Sequence, residues 1–197
     1  MAISIKVLLD VHHYLPKAAV AKRRFVAFHR LDALHGERDE AELFRLEWLR
    51  LADSLGTKQP FQLVWTAHHE FCVRNVLAEA DWSAREIDLY VKACRALAIK
   101  TGGEISKIDY RKESKTNAQL EYELSKMGGT FGTPCNEDAA ILKMALDLRC
   151  DILVTNDGGL LKVKNNVKAK TKTHVWTIED YMDTVKKALS FGHRAAA

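Results

Sequence analysis

Four acidic residues lie where a parallel sheet would gather them into one place: Asp10, Glu70, Asp138 and Asp157. Asp10 directly follows the apolar run of residues 5–9, and Asp157 follows the last but one apolar run by two residues. Glu70 lies early in a predicted helix after the second apolar run, and Asp138 begins another predicted helix, where the helix dipole favours negative charge. Ligands of open parallel sheets bind beyond the carboxyl ends of the strands, so we expect the four carboxylates to share one crevice.

Such a cluster is costly without a cation, because carboxylates a few ångströms apart raise one another's pKa. Magnesium and manganese prefer oxygen ligands and keep several waters. Such an ion activates water and neutralises charge on a phosphodiester. A single acid of this kind is typical of a helix cap, a turn or a surface charge, so the prediction depends on the set of four. The set predicts hydrolysis that depends on Mg²⁺ or Mn²⁺ and needs no side-chain nucleophile.

Four histidines flank two of these acids: His12, His13, His68 and His69. As nitrogen ligands they would favour manganese or zinc over magnesium. As surface groups, or as neighbours of the ligands, they would leave the metal preference unchanged. A ribonuclease that uses two histidines as acid and base is a further alternative, but it gives the four acids no role.

The basic residues near these acids could contact phosphates. Lys162 and Lys164 begin a lysine-rich segment that is predicted to be a loop, and it is either solvated or a guide for a nucleic-acid backbone. Arg24, in the first predicted helix, is assigned the same nucleic-acid-binding role. Arg74 lies four residues after Glu70, so it is either a structural partner of that carboxylate on one helix or a phosphate contact.

Short apolar runs alternate with amphipathic segments along the chain, which is typical of a parallel sheet covered by helices on both faces. The predicted strands are residues 5–9, 61–65, 105–110, 151–155 and 174–177. The predicted helices cover about residues 16–36, 44–55, 67–77, 84–97, 117–127, 138–148 and 178–189. The sequence therefore predicts an α/β protein, a three-layer α/β/α sandwich with a mostly parallel central sheet. Residues 1–190 are predicted to form one domain, and 191–197 a tail.

Three segments of the chain resemble the PIN-domain family of nucleases. The first is VLLD, which ends at Asp10, and the second is VWTAHHEF, a strand and helix that carry Glu70. The third is NEDAAILKMA, which carries Asp138, followed by DILVTND, which ends at Asp157. The closing segment VWTIEDY also resembles the family's last strand and helix. His12 departs from the small polar residue that the family usually has two positions after its first acid.

The resemblance implies a PIN-like fold and metal-dependent cleavage of RNA that leaves 5′-phosphate and 3′-hydroxyl ends. It assigns the catalytic, metal-binding carboxylates to Asp10, Glu70, Asp138 and Asp157. It also assigns Thr155 to the catalytic site, as a polar residue that orients a carboxylate or a water. Toxin members of the family pair with an antitoxin protein and dimerise. We carry an antitoxin partner and a homodimer over as expectations of the resemblance, although no residue of this chain indicates either.

The totals describe a globular chain of 197 residues, 47% hydrophobic and 28% charged, with a formal net charge of +4. This mild positive excess permits a polyanionic partner but does not demand one. Cysteines occur at four irregularly spaced positions without a C-x-x-C pair: Cys72, Cys94, Cys135 and Cys150. Reduced thiols in a cytoplasmic protein are therefore expected. No segment approaches the length of a membrane span, so no membrane partner is expected.

Two interpretations from other classes stay open beside the nuclease. A catalytically silent RNA-binding or scaffold protein would keep the fold, although loss of activity usually removes some of the acids. A phosphoryl-transfer hydrolase of the haloacid-dehalogenase type also carries an aspartate after its first strand. That chemistry needs a second aspartate two positions later, where this chain has His12.

Overall fold

Five short strands form one sheet in the computed structural model, which describes residues 4–15, 60–79, 81–108 and 136–194, without the side chains of 136–139 and 188–194. The strands are β1 (Ile5–Leu9), β2 (Phe61–Thr66), β3 (Glu104–Ser106), β4 (Ile152–Val154) and β5 (His174–Trp176). Their order is β3-β2-β1-β4-β5, and every neighbouring pair is parallel. The predicted parallel sheet is confirmed.

Six α-helices and one short 3₁₀ helix accompany these strands within the described ranges. The 3₁₀ helix is Val11–His13, and the α-helices are α1 (Ala67–Glu79), α2 (Ala84–Lys100), α3 (Asn136–Asp147), α4 (Gly158–Lys162), α5 (Lys164–Thr171) and α6 (Ile178–Arg194). The helices predicted over 16–36, 44–55 and 117–127, and with them Arg24, lie outside the described residues. None of the helices that the structure describes is long and apolar enough to cross a membrane.

The two faces of the sheet are covered by different helices. Val7 and Leu9 of β1 belong to a buried cluster with residues of α1, α2 and α6, whereas Leu8 belongs to a second cluster with residues of α3, α4 and α5. Successive side chains of a strand point to opposite faces, so each face of β1 is buried against its own helices. The α/β/α sandwich that the sequence predicts is confirmed.

Capping residues fix where two of these helices begin. Ser83 Oγ accepts the backbone N–H of Glu86, and the Glu86 carboxylate accepts the backbone N–H of Ser83 at 2.8 Å, which is a capping box. Thr177 Oγ1 accepts the backbone N–H of Asp180 at 3.1 Å at the start of α6. Each cap joins residues three apart in the sequence.

The prediction of a lysine-rich loop over residues 162–172 is wrong. The segment forms α4 and α5, and Leu160, Val163 and Val167 are buried against the sheet. These three apolar residues recur at helical spacing between exposed lysines, so they anchor one face of the helices. The connection from β4 to α4 is short, because Asp157 already caps α4.

The strand order reverses between β1 and β4. The chain runs outward from β1 through β2 to β3, and then returns to place β4 on the other side of β1. Leu9 of β1 is in register with Val154 of β4, and the N–H of Asp10 donates to the Val154 carbonyl at 2.8 Å. The carboxyl ends of these two strands are therefore held together at the point where open α/β sheets bind ligands.

Candidate active site at the strand-order reversal

A crevice of about 570 Å³ opens beyond the carboxyl ends of β1 and β4. The segments that follow these strands supply the side chains that face it from the sheet: Asp10, Val11, His12, Leu15, Asn156 and Asp157. The opposite wall comes from α1 and α3: His68, Phe71, Cys72, Asn75, Val76, Glu79 and Ile141. Two of the four predicted carboxylates, Asp10 and Asp157, thus share the crevice.

Asp10 is almost completely buried and is held by two side chains. Its Oδ2 accepts a hydrogen bond from Thr155 Oγ1 at 2.6 Å and lies 3.3 Å from His12 Nδ1. Burial by itself would raise the pKa of the Asp10 carboxyl, but the bonds from His12 and Thr155, together with the nearby imidazoles, hold this pKa well below its ordinary value. Asp10 is therefore a carboxylate at neutral pH.

Thr155 connects the two acids. Its buried hydroxyl donates to Asp10 and accepts the backbone N–H of Asp157 at 3.0 Å. Asp157 in turn accepts the N–H of Leu160 through Oδ1 at 2.9 Å, which caps α4. Within the described part of the chain, these bonds engage Oδ2 of Asp10 and Oδ1 of Asp157, and the second oxygen of each carboxylate lies outside them.

The carboxylates of Asp10 and Asp157 suit a hard divalent ion that keeps several waters better than a structural metal ion that protein ligands surround completely. Among the described residues, no group of three or more His, Cys, Asp or Glu side chains is placed to hold a metal ion. Magnesium is commonly bound through one or two carboxylates and completed by waters and substrate phosphates, and Asp10 and Asp157 can supply those carboxylates. The Asp138 side chain is outside the description, but Asp138 precedes Ile141 of the crevice wall by three residues of α3.

Glu70 is not brought to Asp10 and Asp157. Its carboxylate lies 3.1 Å from Arg74 Nε on α1 and 3.7 Å from Arg95 of α2, and it is absent from the crevice lining. Glu70 and Cys72 are two positions apart on α1, and side chains at that spacing point in different directions from a helix. Cys72 faces the crevice, so Glu70 does not. A metal-binding role for Glu70 stays a prediction, and it would require these ion pairs to break.

Of the basic residues predicted to contact nucleic acid, the three that the structure describes, Arg74, Lys162 and Lys164, do not line the crevice. Arg74 bonds Glu70 and also donates to Asp88 Oδ1 at 2.7 Å, so the structural alternative for this arginine accounts for its position. Lys162 is exposed on α4, and Lys164 lines a separate groove of about 420 Å³ beside β5. This groove also contains Asp183, so its charge is mixed.

The four flanking histidines differ in surroundings. His12 donates from Nδ1 to Asp10 and accepts the N–H of Asn156 at Nε2, at 3.3 Å in each case, if the neutral ring carries its proton on Nδ1. Asn156 Oδ1 accepts the N–H of Ile178 at 3.3 Å, which ties this loop to α6. His12 and His68 line the crevice, whereas His69 is buried in the core.

His69 is a structural residue that holds the end of β1. Its Nε2 lies 2.7 Å from the Leu9 carbonyl, and its Nδ1 lies 3.3 Å from the backbone N of Thr66. A carbonyl only accepts and an N–H only donates, so the ring is neutral with its proton on Nε2. Both nitrogens are engaged, and His69 is therefore not a metal ligand in this arrangement. Its bond to Leu9 fixes the residue directly before Asp10.

We expect acid to destabilise the protein through His69. Burial lowers the pKa of this ring from 6.5 to about 4, against the opposing hydrogen bond to Leu9. Between these values the unfolded chain binds a proton that the folded chain excludes, so the free energy of unfolding falls as pH drops below 6.5 and the loss is complete below about 4. The contribution of this ring is roughly 3 kcal/mol. Urea unfolding at a series of pH values measures it, with His69→Gln as the non-titrating control. Identical pH dependence in both proteins would contradict the assignment.

Three residues with polar or sulfur-bearing side chains on the α1 wall of the crevice were not selected from the sequence as site residues: Cys72, Asn75 and Glu79. They follow His68 at intervals of three or four residues, so all four lie along one face of α1. That spacing is visible in the sequence. What the sequence does not show is that this face, and not the one that carries Glu70, turns toward Asp10.

No protein-family model matches the sequence, and a comparison with curated proteins gives no match. The fold and site define a class of protein: a parallel α/β sandwich with paired aspartates at the reversal of its strand order. The resemblance to PIN-domain nucleases therefore depends on sequence alone, on the segments around Asp10, Glu70, Asp138 and Asp157 and on the closing segment VWTIEDY.

Proposed function

We propose that the protein is a Mg²⁺- or Mn²⁺-dependent endoribonuclease whose catalytic centre is the crevice at the ends of β1 and β4. One observation carries the proposal: Asp10 and Asp157 follow neighbouring parallel strands where the strand order reverses, face one crevice, and are joined through Thr155. RNA as the substrate comes from the PIN-domain resemblance. A toxin role, an antitoxin partner and a homodimer are further predictions of that resemblance.

Asp10 and Asp157 would hold the ion, and Asp138 is the predicted third carboxylate. When bound, the ion supplies a positive centre that activates water and stabilises charge on the phosphodiester. The chain's own residues keep the carboxylates charged and correctly oriented. The low pKa of Asp10 keeps that carboxylate charged, and Thr155 fixes its Oδ2 so that the side chain does not rotate. Such preorganisation means that the site is not rebuilt when substrate arrives.

His12 contacts Asp10 in the proposed catalytic centre. It lies at the crevice with one nitrogen against Asp10 and the other against the backbone of Asn156. In this position it orients the Asp10 carboxylate from the side opposite the core, as Thr155 does from within. This role gives a physical purpose to the residue at which the chain departs from the family pattern.

The second candidate, a silent RNA-binding protein, is favoured by one observation. Glu70 is occupied by Arg74 and Arg95, so the crevice lacks this member of the predicted quartet. A protein of this kind would bind RNA through its basic residues without cleaving it. Binding and cleavage therefore have to be measured on the same substrate.

The proposal is tested with purified protein and an end-labelled RNA of mixed sequence. We expect internal cleavage with Mg²⁺ or Mn²⁺, no cleavage with EDTA, and products with 5′-phosphate ends that a phosphate-dependent exonuclease degrades. Cleavage that persists in EDTA would exclude the metal-dependent mechanism. Retention of intact RNA in a gel-shift assay, with no products under any metal, would replace the nuclease with the silent RNA-binding protein.

A further inference from the structure

His68 and Cys72 form a nitrogen–sulfur pair on the α1 wall of the crevice. Cys72 Sγ lies 3.5 Å from His68 Nε2, and the two residues are one helical turn apart. Both side chains line the crevice that contains Asp10 and Asp157. The proposed hydrolysis assigns no role to either residue.

We propose that His68 and Cys72 bind a transition-metal ion of the zinc type. Zinc bonds histidine nitrogen at about 2.0–2.1 Å and cysteine sulfur at about 2.3 Å. At a tetrahedral angle these lengths separate the two donor atoms by about 3.5 Å, which matches the distance that the structure already has. Two ligands four residues apart on one helix are also the spacing by which zinc-binding helices present paired histidines.

The donor chemistry separates this site from the carboxylate pair. Thiolate and imidazole select zinc and related ions, whereas carboxylate oxygens suit magnesium and manganese. The strand ends thus offer oxygen donors and α1 offers nitrogen and sulfur, within one crevice. Because no third histidine, cysteine, aspartate or glutamate lies within coordination range among the described residues, water completes the coordination of the ion. Binding releases the Cys72 thiol proton to solvent.

The other described thiols are unsuited to this role. Cys94 and Cys150 are buried, and burial raises the pKa of each thiol to about 12. Cys72 is only partly buried and reaches the crevice, where an ion can enter. Cys150 is therefore a matched control, because it is a free cysteine of the same chain that does not line the crevice.

The test is a Co²⁺ titration of the reduced full-length protein, followed by near-ultraviolet absorption. Cobalt replaces zinc in such sites, and a thiolate ligand gives an intense charge-transfer band that oxygen ligands do not give. We expect this band in the wild type and in Cys150→Ser, its disappearance in Cys72→Ser, and its displacement by Zn²⁺. His68→Asn, with folding checked by circular dichroism, is expected to weaken cobalt binding by at least about tenfold.

The cobalt absorption band does not depend on RNA cleavage, so this experiment tests the His68–Cys72 site independently of the proposed nuclease activity. Absence of the band in the wild type would overturn the site. A band that survives in Cys72→Ser would assign the thiolate to another cysteine and would overturn it as well.

Discussion

Asp10→Asn is expected to lower metal-dependent RNA cleavage by on the order of 10²–10³-fold, the cost of removing one preorganised electrostatic group. Asparagine has the same size and can still accept the Thr155 hydroxyl, so the fold and the Thr155 bridge are retained. What disappears is the negative charge that the site maintains by holding the Asp10 pKa low. Initial cleavage rates at saturating Mn²⁺ measure the effect.

The control for this variant is Asp183→Asn. Asp183 is exposed on α6 and lines the separate groove beside β5, so the same chemical change there removes a charge without touching the crevice. We expect Asp183→Asn to cleave RNA at the wild-type rate. Equal rates for Asp10→Asn and wild type would show that the cleavage comes from a contaminant or from another site.

Asp157→Asn is expected to reduce cleavage by on the order of 10²-fold while leaving the thermal midpoint almost unchanged. Asparagine caps a helix about as well as aspartate, so the bond to the Leu160 N–H that begins α4 survives. Asp157→Ala removes both functions and is expected to cost a further ~1 kcal/mol of stability. Cleavage rates and thermal unfolding of the two variants separate the roles of charge and cap.

Glu70→Gln removes a predicted catalytic carboxylate that lies outside the crevice, and its effect on cleavage can be compared with that of Asp157→Asn. Its carboxylate is paired with Arg74 and Arg95 and not with the crevice, so we expect cleavage by this variant to remain within a few-fold of wild type. A loss as large as that of Asp157→Asn would mean that Glu70 turns into the site during catalysis. It would favour the assignment made from sequence over the position in this structure.

Four of the five strands were predictable because each is a short apolar run that a buried parallel sheet requires. The fifth, β3, has no buried residue, and it ends at Ser106 although the predicted strand continued to residue 110. β1 has the predicted bounds, β2 and β5 each differ from prediction by one residue at one end, and β4 differs by one residue at each end. The positions of Asp10 and Asp157 follow directly from these strand ends. The hydrogen bond from Thr155 to Asp10 spans residues distant in sequence and follows from β1 and β4 being neighbours.

The direction in which each face of α1 points was not predictable in the same way. Glu70 lies close in sequence to the end of β2, which suggested the crevice, but its partner Arg95 comes from α2. That contact depends on how two helices pack, and no local pattern encodes it. The helices α4 and α5 were missed for a related reason, since their three buried apolar residues are spread among lysines.

Manganese binding tests the central claim most directly, because Asp10 and Asp157 are proposed to hold one ion together. Electron paramagnetic resonance titrations would give the Mn²⁺ affinity of wild type, Asp10→Asn, Asp157→Asn and the double variant. We predict that each single substitution weakens binding at least about tenfold, and that the double variant loses clearly less than the sum of the two free-energy changes. Wild-type affinity in either single variant, or strictly additive losses, would contradict a shared ion.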